Sequence, residues 1–509
     1  MSTDPRRICV SICERDVPAL VRAIRSAAEV GDVIEVRLDC FSQQDLPLAI
    51  AALRTHPSRP TILTLRPLEQ GGRRAMDLEY RVQFWREHLF KLPATFFDLE
   101  IDLAERLLTE DHTTVDWSRV ICSLHDFDTG ADLKNLYERL ARVPARVLKI
   151  AIAVDDAVDN LHIFGLLERA KLEGRELIAI GMGTVGIATR ILGPSRGSFL
   201  TYAASGRSSP AAPGQLTAIE LRDQFRVDRI NPTTQIAGVV GYPVSHSLSP
   251  QVHNAVFKSQ GMDAVYIPFE VRDLDAFMLR MVHPRTREID WRLRGLSVTA
   301  PHKRGVMDHL DWIDEAARKI DAVNTILIDD EELKGYNTDA IGFIRPLKDR
   351  LGALRGSRCA VIGGGGAASA ATYALLNEGA AVTIFVRNLE RAKTATERFN
   401  VPALELEGAS FDGFDVVVNA TVLGTAGEFE QHTPAKAQQL AGARLAYDLV
   451  YNPSETQFLR EAQNAGCETL GGLPMFMAQA VEQFRLWTGR EAPVEVMEAA
   501  ALEALTEAL

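Results

Sequence analysis

The sequence predicts an α/β protein with an N-terminal (β/α)8 barrel and a second, two-lobed α/β region after it. Two observations lead to this fold class. Up to about residue 205, eight short β-branched runs alternate with amphipathic helical patterns, and after a polar segment at 221–235 the alternation begins again. The length of 509 residues also exceeds what one hydrophobic core usually serves, so two or three domains are expected.

The eight runs of the first part define the barrel. Eight strand–helix units in little over 200 residues are typical of a (β/α)8 barrel, whereas doubly wound sheets rarely hold eight strands in so short a span. Helical patterns such as LVRAIRSAAE at 20–29 separate most of the runs. The runs occupy residues 8–13, 33–39, 61–66, 96–100, 119–126, 147–154, 176–182 and 198–203.

Polar side chains stand where barrel chemistry is normally found, at the C-terminal ends of strands and in the loops after them. Lys149 lies inside the apolar run VLKIAIAV, and burial beside arginines would turn its amine into a nucleophile that forms an imine with a ketone. A histidine can then move protons, and two arginines can hold a carboxylate. These groups predict dehydration of a keto-acid through a Schiff base. The candidates are Glu35, Arg37, Asp39, Arg66, His125, Asp126, Lys149, Met182 and Arg190.

Six motifs follow one another along the first part: EVRLD (35–39), TLRP…GG (64–72), SLHDF (123–127), VLKIA (147–151), GMGTVGIATRILGPSRGS (181–198) and AAPGQ (211–215). Over residues 6–222 they resemble the type I 3-dehydroquinate dehydratases, which are TIM barrels. The resemblance implies that Lys149 forms the imine with 3-dehydroquinate and that His125 is the general acid/base. It further implies a substrate pocket built from Glu35, Arg37, Arg66, Met182, Arg190 and Gln215.

Two positions depart from the pattern of that family. Gln70 stands where a Glu usually orients the histidine, so either Glu69 replaces it through a shifted loop or the histidine pKa is tuned differently. Ala211 stands where a Ser or Thr often precedes APGQ, which removes one hydroxyl from the substrate lid. Neither change touches the Lys149–His125 pair.

A glycine-rich turn marks the later part of the chain. The stretch 359–388 is predicted to form a strand, a turn, a helix and a second strand, and Gly363, Gly365 and Ala368 fit G-x-G-x-x-G/A in that context. The helix N-terminus is then available for a pyrophosphate. This indicates a Rossmann domain; a tight turn without a ligand is the alternative.

The end of the second strand indicates which dinucleotide binds. An NAD site usually has Asp or Glu there, but this chain has Val386-Arg387-Asn388, followed by Arg391 and Lys393. Cations in place of a carboxylate favour the 2′-phosphate of NADP. The alternative is a solvated basic helix start.

Further motifs surround the glycine-rich turn: GYPVSHSLSPQVHN (241–254), GLSVTAPHK (295–303), DAVNT (321–325), GYNTDAIG (335–342), NATVLG (419–424), DLVYNPSETQFL (448–459) and GGLPMFMAQAVEQF (471–484). From about Gln235 to about Arg490 they resemble shikimate dehydrogenase. The resemblance implies that Lys303 and Asp339 are the catalytic pair, which protonates the alkoxide formed when hydride reaches a ketone. Ser297 and Val386 each replace a frequent Asn.

The same resemblance implies the remaining site residues. The predicted substrate contacts are Ser247, Ser249, Thr299, Asn324, Tyr451 and Gln479. The predicted NADP contacts are Gly363, Gly364, Gly365, Gly366, Ala367, Arg387, Asn388, Arg391, Thr421 and Gly472.

The expected domain boundaries follow from these motifs. They are a dehydratase barrel at 1–222, a linker at 223–234, a substrate-binding lobe at 235–341, a Rossmann lobe at 342–472 and C-terminal helices at 473–509 that return to the substrate lobe.

Composition limits the partners and the location. A net charge of −12 argues against a nucleic-acid or anionic-membrane surface, so small anionic substrates need local basic clusters. The six cysteines form no CxxC pair and lie mostly in strand-like runs, which predicts free, buried thiols in a reducing compartment and no metal site. With no signal peptide or membrane span apparent, we expect a cytoplasmic protein. The oligomeric state stays open.

The leading hypothesis is a bifunctional enzyme that converts 3-dehydroquinate to shikimate. Two alternatives remain. A quinate dehydrogenase with NAD preference would have an acidic residue in place of Arg387, and a metabolite-sensing regulator would have lost Lys149, His125, Lys303 or Asp339.

Overall fold

The computed structural model describes residues 7–55, 59–88, 91–92, 94–110, 114–130, 132–206, 214–391 and 393–507. Within them the chain forms three sheets, one in the first part and two in the second.

The first sheet is the expected (β/α)8 barrel, and this prediction is confirmed. Its parallel strands run in the order β7-β6-β5-β4-β3-β2-β1-β8, and a bridge between Leu177 and Ser198 brings the two edge strands together. The strands are β1 (Ile8–Ile12), β2 (Val33–Arg37), β3 (Thr61–Thr64), β4 (Phe96–Glu100), β5 (Val120–Asp126), β6 (Val147–Ala153), β7 (Glu176–Met182) and β8 (Thr201–Ala204).

Amphipathic helices cover the outside of the barrel. In the first of them, Asp16 accepts a hydrogen bond from the Ala19 amide as N-cap, and Leu20, Ile24 and Ala27 face the strands at helical spacing. The helices are α1 (Val17–Val30), α2 (Leu46–Thr55), α3 (Leu78–His88), α4 (Ile101–Glu110), α5 (Leu133–Ala141), α6 (Asn160–Leu172) and α7 (Ile187–Leu192).

The second sheet is mixed and belongs to the lobe predicted to bind substrate. Its order is β10-β9-β11-β13-β14-β12, and β13 runs antiparallel to both of its neighbours. The elements are β9 (Gln235–Gly241), α8 (Ser249–Ser259), β10 (Ala264–Glu270), α9 (Leu274–Phe277), β11 (Arg292–Val298), β12 (Trp312–Ile313), α10 (Glu315–Ile320), β13 (Thr325–Asp329), β14 (Glu332–Tyr336) and α11 (Asp339–Leu351).

The third sheet is fully parallel and has the strand order β17-β16-β15-β18-β19-β20. Counted from its first strand this is 3-2-1-4-5-6, the Rossmann order. The elements are β15 (Arg358–Ile362), α12 (Gly366–Asn377), β16 (Ala381–Val386), α13 (Lys393–Phe399), β17 (Ala403–Glu405), β18 (Val416–Asn419), α14 (Ala437–Leu440), β19 (Leu445–Asp448), α15 (Gln457–Asn464), β20 (Glu468–Leu470), α16 (Leu473–Thr488) and α17 (Val494–Glu507).

The last two helices pack against the second sheet's lobe, and Met475, near the start of α16, also enters the core of the Rossmann sheet. Phe484 and Trp487 of α16 and Met497 of α17 share one buried cluster with Val252 and Phe257 of α8. The domain boundaries inferred from the sequence nevertheless stay predictions.

The expectation of six free thiols is wrong for one pair of cysteines. Cys13 and Cys40 form a disulfide, with Cα atoms 5.5 Å apart. The residues are 27 positions apart in sequence, but each follows the end of one of two neighbouring parallel strands, β1 and β2, so the fold brings them together. The other four cysteines, Cys9, Cys122, Cys359 and Cys467, are free and buried.

Among the described residues, no helix is both long enough and apolar enough to cross a membrane. The described part of the chain also holds no group of three or more His, Cys, Asp or Glu residues placed to bind a metal ion.

Candidate active sites

The barrel interior is built in layers by the two-residue period of its strands. One layer is apolar, with Cys9, Val33, Ile62, Phe96, Ile121 and Val147 buried together. Two residues further along the same strands stand polar side chains, all buried: Ser11, Glu35, Thr64, Asp98, Ser123 and Lys149. The sequence therefore places a polar layer directly above a packed apolar floor.

Lys149 lies at the centre of this polar layer and is 5% exposed. Its Nζ donates to Asp98 Oδ2 at 3.0 Å and lies 3.9 Å from Glu35 Oε1. The ammonium group also sits 4.2 Å above the Tyr202 ring. The groups that approach Lys149 most closely are thus carboxylates and an aromatic face, not the arginines expected from the sequence.

Arg66 pairs with two buried carboxylates of β4, Asp98 and Glu100. Its Nη2 donates to Asp98 Oδ2 at 2.8 Å, and its Nη1 donates to Glu100 Oε1 at 3.0 Å and to Ser123 Oγ at 2.7 Å. The Arg66 guanidinium is therefore committed to protein groups, and its predicted contact with substrate stays a prediction.

The network shifts the pKa values of Asp98 and Glu100 in opposite directions. Burial favours the neutral form of Asp98, but Arg66, Lys149 and the Ser123 hydroxyl outweigh it and lower the Asp98 pKa below its ordinary value. Burial and the Asp98 charge raise the pKa of Glu100 to about 7, although Arg66 and Arg81 act in the opposite direction. Asp98 is thus an anion at neutral pH, while Glu100 titrates there.

Glu35 is fixed on three sides. Its Oε2 accepts from Ser11 Oγ at 2.5 Å, and its Oε1 accepts from Thr64 Oγ1 at 2.8 Å and faces Lys149. It is a buried carboxylate that touches the predicted nucleophile.

His125 lies on β5 beside Lys149. The register pairs Ser123 with Lys149, so His125 projects from the same face two residues further along. Burial first, and then the positive charges of Arg66 and Lys149, lower the pKa of His125 well below its ordinary value. Its Nδ1 is buried, and none of the described residues hydrogen-bonds it. The geometry supports a neutral imidazole with a nitrogen available to a substrate.

The structure shows which group Gln70 binds, at the position where the family pattern has a Glu that orients the histidine. Gln70 Oε1 accepts a hydrogen bond from the backbone N–H of His125 at 2.8 Å, while Glu69 is exposed. Gln70 therefore holds the histidine's backbone and not its ring. Of the two alternatives, a replacement by Glu69 finds no support, and the lowered histidine pKa agrees with different tuning.

Arg37 and Arg190 differ in whether their guanidinium groups already have hydrogen-bond partners in the protein. Asp39 binds Arg37 through two hydrogen bonds of 2.8 Å and also accepts the backbone N–H groups of Arg66 and Arg73. Arg190, on α7, is 3% exposed, and burial lowers its pKa to about 10. Its buried Nε has no hydrogen-bond partner among the residues the structure describes. A buried cation with an unused donor fits an anionic ligand.

The other predicted residues of this site lie around its rim. Met182 ends β7 and packs against the buried apolar layer, and Gln215 follows Gly214 after β8. Asp126 ends β5 beyond His125. Ala211 lies outside the described residues.

Sequence reasoning missed Asp98 and Glu100. They alternate on β4, in the run FFDLE, and both are fully buried. Two acidic residues at positions i and i+2 of a short, otherwise apolar strand were a signal that both point into the barrel.

In the second part of the chain, Lys303 and Asp339 form the expected pair. Lys303 Nζ donates to Asp339 Oδ2 at 2.5 Å, and Asn324 Nδ2 donates to Asp339 Oδ1 at 2.7 Å. Asn324 Oδ1 accepts from the Thr338 backbone N–H at 2.8 Å, at the start of α11. Asn324, predicted as a substrate contact, thus also orients the carboxylate of Asp339, the predicted catalytic partner of Lys303.

The other predicted substrate residues come from the start of α8, from the segment after β11, from the loop after β19 and from α16. Ser247 Oγ accepts from the Ser249 backbone N–H at 3.2 Å, where α8 begins. Thr299 follows β11, and its backbone N–H donates to Val240 O at 2.9 Å. Tyr451 stacks on Phe476 with ring centroids 4.7 Å apart, and Gln479 Nε2 donates to Phe476 O at 3.0 Å. Their contact with substrate stays a prediction.

The glycine-rich turn has the geometry of a phosphate cradle. Gly363 has φ +131°, a conformation that side chains rarely adopt, and a Cβ there would lie 2.9 Å from Ala420 O. A Cβ on Gly365 would meet no described atom within 4 Å, so the N-terminus of α12 is open to a ligand. A Cβ on Gly366 would lie 3.6 Å from Lys303 Cδ. The turn therefore fits a dinucleotide, and the turn itself lies beside Lys303 of the Lys303–Asp339 pair.

The remaining predicted cofactor residues surround this turn. Arg387 and Asn388 are exposed at the end of β16, and Asn388 Oδ1 accepts from the Glu390 backbone N–H at 2.9 Å. Thr421 Oγ1 donates to Asn419 Oδ1 at 2.7 Å, in the loop after β18. Gly364 and Ala367 belong to the turn itself, and Gly472 precedes α16. The side chain of Arg391 is outside the described set.

Family models match successive parts of the chain. The family model of type I 3-dehydroquinase matches residues 8–232. The shikimate dehydrogenase substrate-binding domain matches residues 239–326, an NAD(P)-binding domain matches 352–445, and the shikimate 5'-dehydrogenase C-terminal domain matches 472–502.

Individual relatives cover one or both halves. The shikimate dehydrogenase (NADP(+)) of Oleidesulfovibrio alaskensis is 42% identical over 53% of this chain and 96% of its own length. A crystal structure of a shikimate dehydrogenase in complex with NADP+ is 35% identical, with a TM-score of 0.51, over 54% of this chain and 97% of that chain. The chloroplastic bifunctional 3-dehydroquinate dehydratase/shikimate dehydrogenase of Arabidopsis thaliana is 33% identical over 97% of this chain and 84% of its own length. With both halves matched in one relative, the chain belongs to the family of bifunctional 3-dehydroquinate dehydratase/shikimate dehydrogenases.

Proposed function

We propose that this chain catalyses two consecutive reactions of the shikimate pathway. The barrel dehydrates 3-dehydroquinate to 3-dehydroshikimate, and the second half reduces 3-dehydroshikimate to shikimate with NADPH. The observation that carries the proposal is the position of Lys149, a buried amine at the centre of a polar layer inside the barrel.

The proposed dehydration uses Lys149 as the nucleophile. Its neutral amine attacks the ketone carbon, the carbonyl oxygen leaves as water, and an iminium joins Lys149 to the substrate. Asp98 and Glu35, the carboxylates nearest to Nζ, hold the amine in place for this attack. Arg190 is suited to the substrate carboxylate, because its buried guanidinium has an unused donor.

His125 carries the protons in the next step. The iminium acidifies the adjacent C–H, and the neutral imidazole takes that proton while a carbon–carbon double bond forms. The imidazolium returns a proton to the departing hydroxyl, which leaves as a second water molecule. One water then hydrolyses the iminium, so the net change is the loss of one water from the substrate.

The second half has the groups for reduction of a ketone. The turn at Gly363–Gly366 and Arg387 would hold the dinucleotide, and NADPH when bound supplies the hydride. Lys303 donates the proton to the carbonyl oxygen as negative charge develops there, and Asp339 orients the ammonium group from 2.5 Å. The preference for NADP over NAD rests on Arg387.

A cytoplasmic location belongs to the proposal as well. The four free, buried cysteines fit a reducing compartment, whereas the Cys13–Cys40 disulfide does not, so cell fractionation with thiol trapping is the appropriate test.

One coupled assay tests both reactions. Wild-type protein given 3-dehydroquinate and NADPH should form shikimate and consume NADPH in equal amounts. Lys149→Ala should form no shikimate from 3-dehydroquinate but reduce 3-dehydroshikimate normally. Lys303→Ala should accumulate 3-dehydroshikimate, with reduction slowed by about 10²- to 10⁴-fold. A wild type that forms no 3-dehydroshikimate, or that oxidises quinate with NAD+ faster than shikimate with NADP+, would contradict the proposal.

A further inference from the structure

A loop of the dehydratase barrel is attached to the dehydrogenase half. The loop between β7 and α7 spans residues 183–186, and its Thr184 Oγ1 donates to Glu270 Oε2 at 2.7 Å. Glu270 is the last residue of β10 in the second sheet, and it is only 7% exposed. A hydroxyl of the barrel loop thus satisfies a buried carboxylate of the other half.

A neighbouring barrel loop reinforces the attachment. Asp156, in the loop after β6, accepts the backbone N–H groups of Arg272 at 2.6 Å and Asp273 at 3.0 Å. Asn160 Nδ2, at the start of α6, donates to Val185 O at 3.1 Å and so joins this loop to the 183–186 loop. Both barrel loops therefore hold the segment 270–273.

The 183–186 loop also supports the part of the barrel that carries Gln215. A Cβ on Gly214 would lie 2.3 Å from the Gly183 carbonyl carbon and 2.6 Å from the Thr184 nitrogen, so the two backbones are in direct contact. Gln215 follows in sequence. The loop further connects Met182 to the helix that bears Arg190. The positions of three predicted substrate residues, Met182, Arg190 and Gln215, thus depend on the position of this loop.

We propose that Glu270, although it belongs to the dehydrogenase half, is a positioning residue for the dehydratase reaction. It holds Thr184, and through the 183–186 loop it holds the Gln215 segment in its binding-competent place. Without this hydrogen bond the competent conformation is populated less, and the apparent affinity for substrate falls by that fraction while the bound complex reacts as before. The inference rests on the proposed dehydratase activity.

The test is steady-state kinetics of 3-dehydroquinate dehydration on full-length variants. Glu270→Ala and Thr184→Val should each raise KM by about tenfold, the lower end of what a hydrogen bond to a charged group contributes, with kcat little changed. The double variant should match the single variants, because all three lack the same hydrogen bond. Glu270→Gln should restore KM, because its amide oxygen still accepts from Thr184. Thr184→Val keeps the side-chain shape and so remains informative where Glu270→Ala folds poorly.

Arg196→Ala is the matched control. Arg196 Nη2 donates to Asp290 O at 2.7 Å, a contact between the same two halves that does not involve the 183–186 loop. This variant should keep the wild-type KM for 3-dehydroquinate. An unchanged KM in Thr184→Val, additive effects in the double variant, or an equal rise in Arg196→Ala would overturn the inference. A wild type without dehydratase activity would instead overturn the proposed function, and shikimate oxidation with NADP+ should be normal in every variant.

Discussion

Carboxylates, and not arginines, lie closest to Lys149, and this bears on how a substrate can reach its Nζ. Nζ lies 3.0 Å from Asp98 Oδ2 and 3.9 Å from Glu35 Oε1. Arg66 also pairs with Asp98, and with Glu100. An arriving ketone must therefore displace or share the Lys149–Asp98 contact to reach Nζ.

Borohydride trapping checks the role of Lys149. With 3-dehydroquinate or its product present, reduction should fix a covalent adduct on Lys149, because it converts the iminium to a stable amine. Lys149→Ala should give no adduct and no dehydration. Mass spectrometry that located the adduct on another lysine would contradict the assignment.

Arg387 sets the expected cofactor preference. A 2′-phosphate carries nearly two negative charges, and a guanidinium binds it with several donors. The contact contributes on the order of 1.5–3 kcal/mol, or about one to two powers of ten in affinity. Arg387→Ala should therefore raise KM for NADPH by that factor and leave KM for NADH nearly unchanged, measured as kcat/KM with each cofactor. A wild type that uses both cofactors equally would refute this assignment.

At the scale of elements, the two-residue period of buried strands explains both the successes and the omissions. All eight barrel strands were predictable, because β-branched runs bounded by helical patterns leave few alternatives. Lys149 and His125 were found because each breaks an apolar run. Asp98 and Glu100 were overlooked because acidic residues at a strand end resemble a solvated edge, although their alternation in FFDLE pointed to one shared face; the closed sheet shows that β4 is buried on both sides.

The α8–β10–α16 packing contains a buried histidine that should make stability depend on pH. His253 is 0% exposed, stacks on Tyr266 at 4.6 Å and lies 5.2 Å from Trp487. Burial lowers its pKa to about 3, and the nearby Gln483 amide offsets this only in part. The unfolded chain therefore binds a proton between pH ~6.5 and ~3 that the folded chain does not, so stability falls as the pH falls through this window.

His253→Phe should remove that dependence. From pH 7.5 to 5.5 the wild type should lose about 1.4 kcal/mol more unfolding free energy than the variant, because phenylalanine fills the same stacked position without titrating. Urea unfolding of the second half at the two pH values measures the difference. Parallel losses in both proteins would show that His253 does not titrate as described.

At the scale of the whole molecule, the sequence predicted the order of the folds but not the contacts between distant segments. The glycine-rich motif predicted the third sheet, whereas no sequence motif predicted that β13 would run antiparallel to its neighbours. The Cys13–Cys40 disulfide and the Thr184–Glu270 hydrogen bond join residues whose proximity depends on the complete fold. Local patterns cannot encode such pairs.

The C-terminal helix should stabilise a lobe that begins more than 200 residues earlier. Met497 of α17 is 0% exposed in the cluster shared with α8, whereas Leu502 is 55% exposed. Met497→Ala should destabilise the second half by about 2–5 kcal/mol and lower shikimate dehydrogenase activity on mild heating, while Leu502→Ala should change little. Dehydratase activity should survive in both variants. Equal thermal sensitivity of the two variants would contradict this role of α17.

The return of α16 and α17 to the second sheet's lobe also orders events during protein synthesis. The barrel consists of sequence-local strand–helix units, so it can fold while the ribosome is still translating the rest. The next lobe begins at Gln235 but is completed by residues up to Glu507, so it waits, with an apolar face uncovered, until the Rossmann domain has emerged. Residues 473–507 thus close a domain that begins at Gln235, before the Rossmann domain is translated, and a chaperone that binds nascent chains would act mainly on this lobe.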